Sequence, residues 1–204
     1  MSLPMTTPRR LHVLTVTLVL LVAACDQGGG KEDALMRSGL DARYTRRDAN
    51  AAVTDFRKVL AQNPTHYGAT YQLAAARDAA GKKDEARVVW ERMLLMAETI
   101  KDEGTADTAR ARLGKPTRQD VAMTAGLDAL YKQRDATAAV AEFRKVLALN
   151  PNHYGANFQL AKALDAAGQT DAARAQWEKV LTMAEAAKDQ ASIDTARARL
   201  AGPT

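Results

Sequence analysis

The chain has 204 residues, 47% of them hydrophobic and 26% charged, with a formal net charge of +5 and a single cysteine. That is enough chain to bury a substantial core, and one cysteine excludes an intramolecular disulfide. Two of the 29 basic residues, Arg9 and Arg10, sit in a leading segment whose removal leaves 27 against 24 acidic residues, too even a balance for nucleic-acid binding, which needs a clustered basic face.

Residues 1–24 read as a signal peptide. Arg9-Arg10 supply a positive start, and Leu11 through Val22 form an apolar stretch too short to span a bilayer comfortably. The segment that follows, Leu21-Val22-Ala23-Ala24-Cys25, resembles the lipobox of bacterial lipoproteins, in which the cysteine becomes the first, lipid-modified residue. The resemblance implies acyl chains on Cys25, and two or more chains are what stable anchoring requires. In enteric-type lipoproteins an aspartate directly after that cysteine favours the inner over the outer membrane, and Asp26 stands there. The expected location is therefore the bacterial cell envelope, lipid-anchored and facing the periplasm. Residues 25–32 form the lipidated cysteine and a glycine-rich tether that reaches at most about 25 Å.

Beyond the tether the chain repeats itself. Residues 118–204 align on residues 31–117 at a constant offset of 87 without a gap, and 53 of the 87 pairs are identical. Self-similarity at fixed period marks a repeat architecture, which presents a surface more often than it performs a reaction. Two units result, 33–117 and 118–204. Alanine, leucine, arginine and glutamine dominate, β-branched runs are missing, and the breakers Asn63-Pro64, Gly81, Gly104 and Gly114 fall at spaced points, so helices are the only regular elements predicted.

Within the first unit, blocks 33–66 and 67–100 each read as helix, turn, helix. Ala52 is followed by Phe56, Val59-Leu60 and Pro64 in one; Leu73-Ala74, Gly81, Ala86, Trp90 and Met93-Leu94 mark the other. Blocks 120–153 and 154–187 repeat this with Ala139, Phe143, Val146-Leu147 and Pro151, then Leu160-Ala161, Gly168, Ala173, Trp177 and Val180-Leu181. Each unit then adds a short helix, 104–113 and 191–200, expected to cap the exposed face of the preceding pair.

The pattern resembles the tetratricopeptide repeat, in which small residues oppose large ones between paired antiparallel helices. The resemblance implies an all-α helical-hairpin solenoid of four repeats. It departs from the pattern where Gly39 and Gly126 fall one place early, with Leu40 and Leu127 in the small-residue slot, and where the second and fourth repeats lack the closing proline, so that their trailing helices should run on through Glu98 and Glu185. One continuous superhelix and two halves hinged at Gly114-Lys115-Pro116-Thr117 both fit.

Phe56, Trp90, Phe143 and Trp177 occupy equivalent points and read as core wedges. Gly81 and Gly168 suit left-handed helix ends, and Asp48 and Asp135 suit N-caps. His66 and His153, the only histidines past the signal peptide, each follow an Asn-Pro corner and read as helix-start packing, since a metal site would need further ligands at helical spacing. No nucleophile elbow or phosphate loop is present, so no enzyme, cofactor, metal or small-molecule substrate is expected.

What remains is the concave surface, formed in this family by the leading helices. By register it presents Arg37, Asp41 and Tyr44; Tyr71 and Asp78; Thr124, Asp128, Tyr131 and Lys132; and Phe158, Lys162 and Asp165. The candidate partner-binding residues are Arg37, Tyr44, Tyr71, Asp78, Tyr131, Lys132, Phe158 and Lys162, a mixture of aromatics and both charge signs that suits a peptide. The lysine-and-asparagine clamp that some members use for chaperone C-termini is not reproduced. The expected function is a membrane-anchored scaffold for a protein or peptide partner. An envelope assembly factor, resembling the subunits of cytochrome c maturation or outer-membrane protein insertion, is one alternative; a self-associating structural envelope protein is another.

Overall fold

Alanine-rich helix formers interrupted by Asn-Pro corners, glycines and capping aspartates dictate short antiparallel helices. The computed structural model, which describes residues 30–202, contains nothing else of regular structure. The signal peptide, Cys25 and residues 26–29 of the tether lie outside the described residues. The chain divides into two compact units between Leu113 and Gly114.

The first unit comprises α1 (residues 30–44), α2 (Ala49–Gln62), α3 (Tyr67–Ala79), α4 (Lys83–Thr99) and α5 (Glu103–Arg112). Helices α2, α3, α4 and α5 pack in sequence, each on its neighbour. The second unit follows the same order: α6 (Arg118–Asp128) passing into a π-helical turn (Ala129–Gln133), then α7 (Ala136–Leu149), α8 (Tyr154–Ala166), α9 (Thr170–Ala187) and α10 (Gln190–Leu200). The fold is thus all-α, two helical hairpins and one short extra helix per unit. Without a closing proline, α4 and α9 run to Thr99 and Ala187, past Glu98 and Glu185 as expected.

The caps explain where the helices begin. Asp48 and Asp135 accept hydrogen bonds from the Ala51 and Ala138 amides, each at 2.9 Å, satisfying donors that the first turn leaves free. Gly81 and Gly168 turn the chain with φ of 72° and 67°, as a left-handed helix end requires. Four other left-handed positions are basic instead: Arg47, Lys101, Arg134 and Lys188 have φ between 54° and 59°. A cation beside the carbonyl end of a helix offsets part of that backbone cost.

Each unit has its own core. Phe56 and Trp90 are 0% and 1% exposed among Ala42, Ala52, Ala74, Ala76 and Ala86; Phe143 and Trp177 are 0% and 1% exposed among their counterparts. Gly39 and Gly126, one place early in the repeat pattern, do the packing themselves. A Cβ on either would stand 2.6 Å from the nearest ring carbon of Phe56 or Phe143, so the leading helix approaches the ring as closely as only glycine allows.

The extra helices close the hairpins by burial and by hydrogen bonds. Helix α5 buries Ala106 and Ala109, and α10 buries Ile193 and Ala196. The hydroxyl of Tyr67 donates to Asp102 Oδ2 at 2.8 Å, and that of Tyr154 to Asp189 Oδ2 at 2.8 Å. Both aspartates also cap the helices they precede, through Thr105 and Ser192. The Thr105 amide, helped by Tyr67, holds the Asp102 carboxyl below its ordinary range, and Ser192 and Tyr154 do the same for Asp189. Burial in turn raises the phenols of Tyr67 and Tyr154.

Candidate functional site

In each unit the first helix ends by presenting a tyrosine to solvent. Tyr44 is 61% and Tyr131 50% exposed, well above what an aromatic normally leaves in water. In both units an amide of the chain folds back over a longer turn at this helix end: Arg46 N–H bonds Asp41 O at 3.0 Å, and residues 129–133 form the π-helical turn. Turns of this kind re-aim side chains and recur at functional sites.

Both tyrosines carry a cation and a glutamine, assembled from different positions. In the first unit Arg43 lies over the Tyr44 ring, 4.8 Å from its centroid, and donates to Gln72 Oε1, while the Tyr44 hydroxyl approaches the same oxygen at 3.4 Å. In the second unit the Tyr131 hydroxyl donates to Gln159 Oε1 at 2.7 Å and accepts from Lys162 Nζ at 2.6 Å, with Nζ 5.0 Å from the ring centroid. Glutamine recurs at the same register, but Arg43 corresponds to Leu130 and Lys162 to Ala75. A cation over an aromatic face contributes about 0.5–1 kcal/mol when exposed.

Below each tyrosine the chemistry is structural. Trp90 Nε1 donates to Asp78 Oδ2 and Trp177 Nε1 to Asp165 Oδ2, both at 2.8 Å, giving each buried indole its acceptor. Arg112 on α5 and Arg199 on α10 lie 3.9 and 3.8 Å from the same carboxylates. Open clefts result. Leu130, Tyr131, Lys162, Asp165 and Arg199 line one of about 350 Å³; Asp78, Lys83, Trp90 and Arg112 line another of about 460 Å³.

Tyr131 and Lys162 are therefore in direct contact. Asp78 is committed to Trp90. Tyr71 and Phe158 are half-buried, edge-on to Trp90 and Trp177 at centroid distances of 5.4 Å, so they pack the core with one side and show the other to the surface. Arg37 is exposed on α1, and Lys132 is exposed and paired with Asp128 at 2.7 Å. Register reasoning overlooked Gln72, Gln159, Arg43, Arg112 and Arg199. The unchanged glutamines and the Arg112/Arg199 pair, each repeated at the offset of 87, were the available signal.

The histidines are caps. His66 Nδ1 accepts from the Ala69 amide at 3.0 Å and His153 Nδ1 from the Ala156 amide at 3.1 Å, which assigns the remaining proton of each neutral ring to Nε2.

Residues 130–200, from the π-helical turn through α10, match the tetratricopeptide repeat family. Together with the hairpin architecture, this match supports a tetratricopeptide repeat protein. No curated protein matches the sequence. Among solved structures the chain is similar to the MamA protein, at 19% identity and a TM-score of 0.41 over 77% of this chain and 93% of that one. It is also similar to a tetratricopeptide repeat protein from Parabacteroides merdae, at 17% identity and 0.41 over 84% and 72%. The third is PilF of Pseudomonas aeruginosa, at 18% identity and 0.36 over 85% and 92%.

Proposed function

We propose that the protein is a lipid-anchored tetratricopeptide scaffold of the bacterial cell envelope, holding a protein or peptide partner near the membrane. The observation that carries the binding reading is the doubled tyrosine, cation and glutamine cluster: Tyr44 with Arg43 and Gln72, and Tyr131 with Lys162 and Gln159. The cluster recurs although its cation comes from a different element in each unit. Tyrosines anchored on one side and open on the other are the usual anchors of a protein interface. The lipobox at Cys25 supports the anchoring reading, and the lipid would confine the search for a partner to two dimensions.

The test is photocrosslinking in membranes of the producing bacterium, from a photoreactive residue at Gln72 or Gln159. A partner crosslinked by the native chain and lost on Tyr44→Ser with Tyr131→Ser, at unchanged melting temperature, supports the reading. An identical crosslinking pattern in that double variant refutes it.

A further inference from the structure

The first unit carries a second cleft on the side of α3 covered by the trailing helices α2 and α4. It is about 350 Å³ in volume, floored by Leu60, Leu73 and Val89 and rimmed by the guanidinium groups of Arg57, Arg77 and Arg92. The only carboxylate paired with these arginines among the described residues is Glu85, whose Oε2 lies 3.4 Å from Arg77 Nε. That nitrogen is buried and makes no hydrogen bond among the described residues, which is costly for a charged donor. Arg92 spends one nitrogen on the Pro64 carbonyl and Arg77 one on the Glu85 carbonyl. The cleft therefore keeps an excess of positive charge over an apolar floor.

The duplicated unit shows that the fold does not need this arrangement. There Leu164 replaces Arg77, Ala172 replaces Glu85, and Thr70 and Val89 become Asn157 and Gln176. Gln176 Nε2 donates to Asn157 Oδ1 at 2.8 Å, so the two polar groups satisfy each other within the hairpin. Beside the cleft, α4 also exposes Val88 at 66% and Leu95 at 67%, each one turn from Arg92 on the same face; the second unit has Ala175 and Thr182 there. Arg57 and the cation of Arg92 are kept, as Arg144 and Lys179, so it is Arg77 with its partner Glu85 and the apolar stripe that mark the first copy alone.

We infer that this cleft is a docking site for an acidic amphipathic segment of a partner protein, with a glutamate stem on the apolar floor and its carboxylate between Arg57, Arg77 and Arg92. A carboxylate side chain fits better than a phosphate because the apolar floor and the exposed Val88 and Leu95 match a glutamate stem and its apolar neighbours; with Glu85 against Arg77, the remaining positive charge attracts more than one carboxylate of such an acidic segment. Val88 and Leu95 take the apolar residues of the same segment. The site lies on other residues than the tyrosine clusters and does not depend on them.

The experiment uses the chain from residue 26 onward and a fluorescein-labelled peptide alternating glutamate and leucine, followed by fluorescence anisotropy. Saturable binding should weaken about tenfold or more on Arg77→Leu, the residue that the other unit tolerates, and on using the glutamine version of the peptide. Arg144→Leu, the counterpart of Arg57 in the second unit, should leave binding unchanged. Should Arg77→Leu fail to fold by circular dichroism, Arg57→Ser at the exposed rim carries the same expectation. Equal binding by Arg77→Leu, or Arg57→Ser in its place, or by the glutamine peptide overturns the proposal. So does displacement of the peptide by inorganic phosphate at concentrations where acetate has no effect, or Arg77-dependent binding to phosphatidylglycerol vesicles with none to the peptide. Tyr44→Ser with Tyr131→Ser should leave peptide binding intact, so failure here and failure of the scaffold reading are read separately.

Discussion

Replacing Gly39 by alanine tests how tightly the leading helix is seated. The added Cβ would stand 2.6 Å from Phe56 Cε1 and 2.9 Å from both Cδ1 and Cζ, against the separation of about 3.5–4.0 Å at which carbon atoms attract. The ring has no open side, since Phe56 is 0% exposed, so the helix or the ring must retreat by about 1 Å. Overpacking of this kind costs about 1–3 kcal/mol, and alanine's better helix propensity returns about 1 kcal/mol. A fully enclosed aromatic places the cost in the upper part of that range, for a net loss of about 1–2 kcal/mol. For a unit of this size that lowers the melting temperature by roughly 4–16 °C. Each unit holds one tryptophan, so in a Trp177→Phe background the fluorescence of Trp90 reports the first unit alone during a urea or thermal melt. Gly68→Ala is the control: its Cβ would lie 3.4 Å from an imidazole carbon of His66, in the first turn of α3, and should be neutral or slightly stabilising. If Gly39→Ala melts at or above the native protein while Gly68→Ala behaves as stated, the close approach to Phe56 is wrong.

Four further outcomes are expected. Trp177→Ala should cost about 3–5 kcal/mol in urea unfolding, and Trp177→Phe about 1–2 kcal/mol, because the Asp165 carboxylate then loses its indole donor. His153→Ala should cost about 1 kcal/mol by removing the cap of α8, with His153→Asn restoring most of it; thermal melts followed by circular dichroism check the pair. The carboxyl pKa values of Asp102 and Asp189 are depressed below 3.8, so their stabilisation is complete above that value and is lost as pH falls through the depressed values. Urea midpoints recorded on the acid side should drop there, and Asp102→Asn with Asp189→Asn should flatten that limb. Cys25→Ser should move the protein from the membrane pellet to the soluble fraction on cell fractionation.

The hairpins were legible because their signals are local: aromatic wedges facing alanines, Asn-Pro stops, and aspartates one residue before a helix. The tryptophans proved to be core, as their equivalent positions implied. The role of Gly39 and Gly126 was not legible by counting along the repeat, because Leu40 and Leu127 occupy the slot where the small residue belongs, and only the distance to Phe56 and Phe143 shows which residue faces the ring. Asp78 reads by register as a surface carboxylate. A buried indole needs an acceptor, however, and the spacing from Asp78 to Trp90 recurs from Asp165 to Trp177. The tyrosine clusters were half visible. Tyr44, Tyr131 and Lys162 were named from register, whereas Gln72 and Arg43 belong to the arrangement through contacts across helices that no single-helix register contains.

The tie between Tyr67 and Asp102, repeated by Tyr154 and Asp189, gives every copy its own stopper. A stack of bare hairpins has a raw apolar end wherever it is cut, so lengthening or shortening it demands a matched terminal segment. Here the terminal segment is carried inside the duplicated cassette and fastened by its buried apolar side chains as well as by the phenol. A gene of this design can gain or lose whole cassettes in a single recombination, and each survivor arrives already sealed.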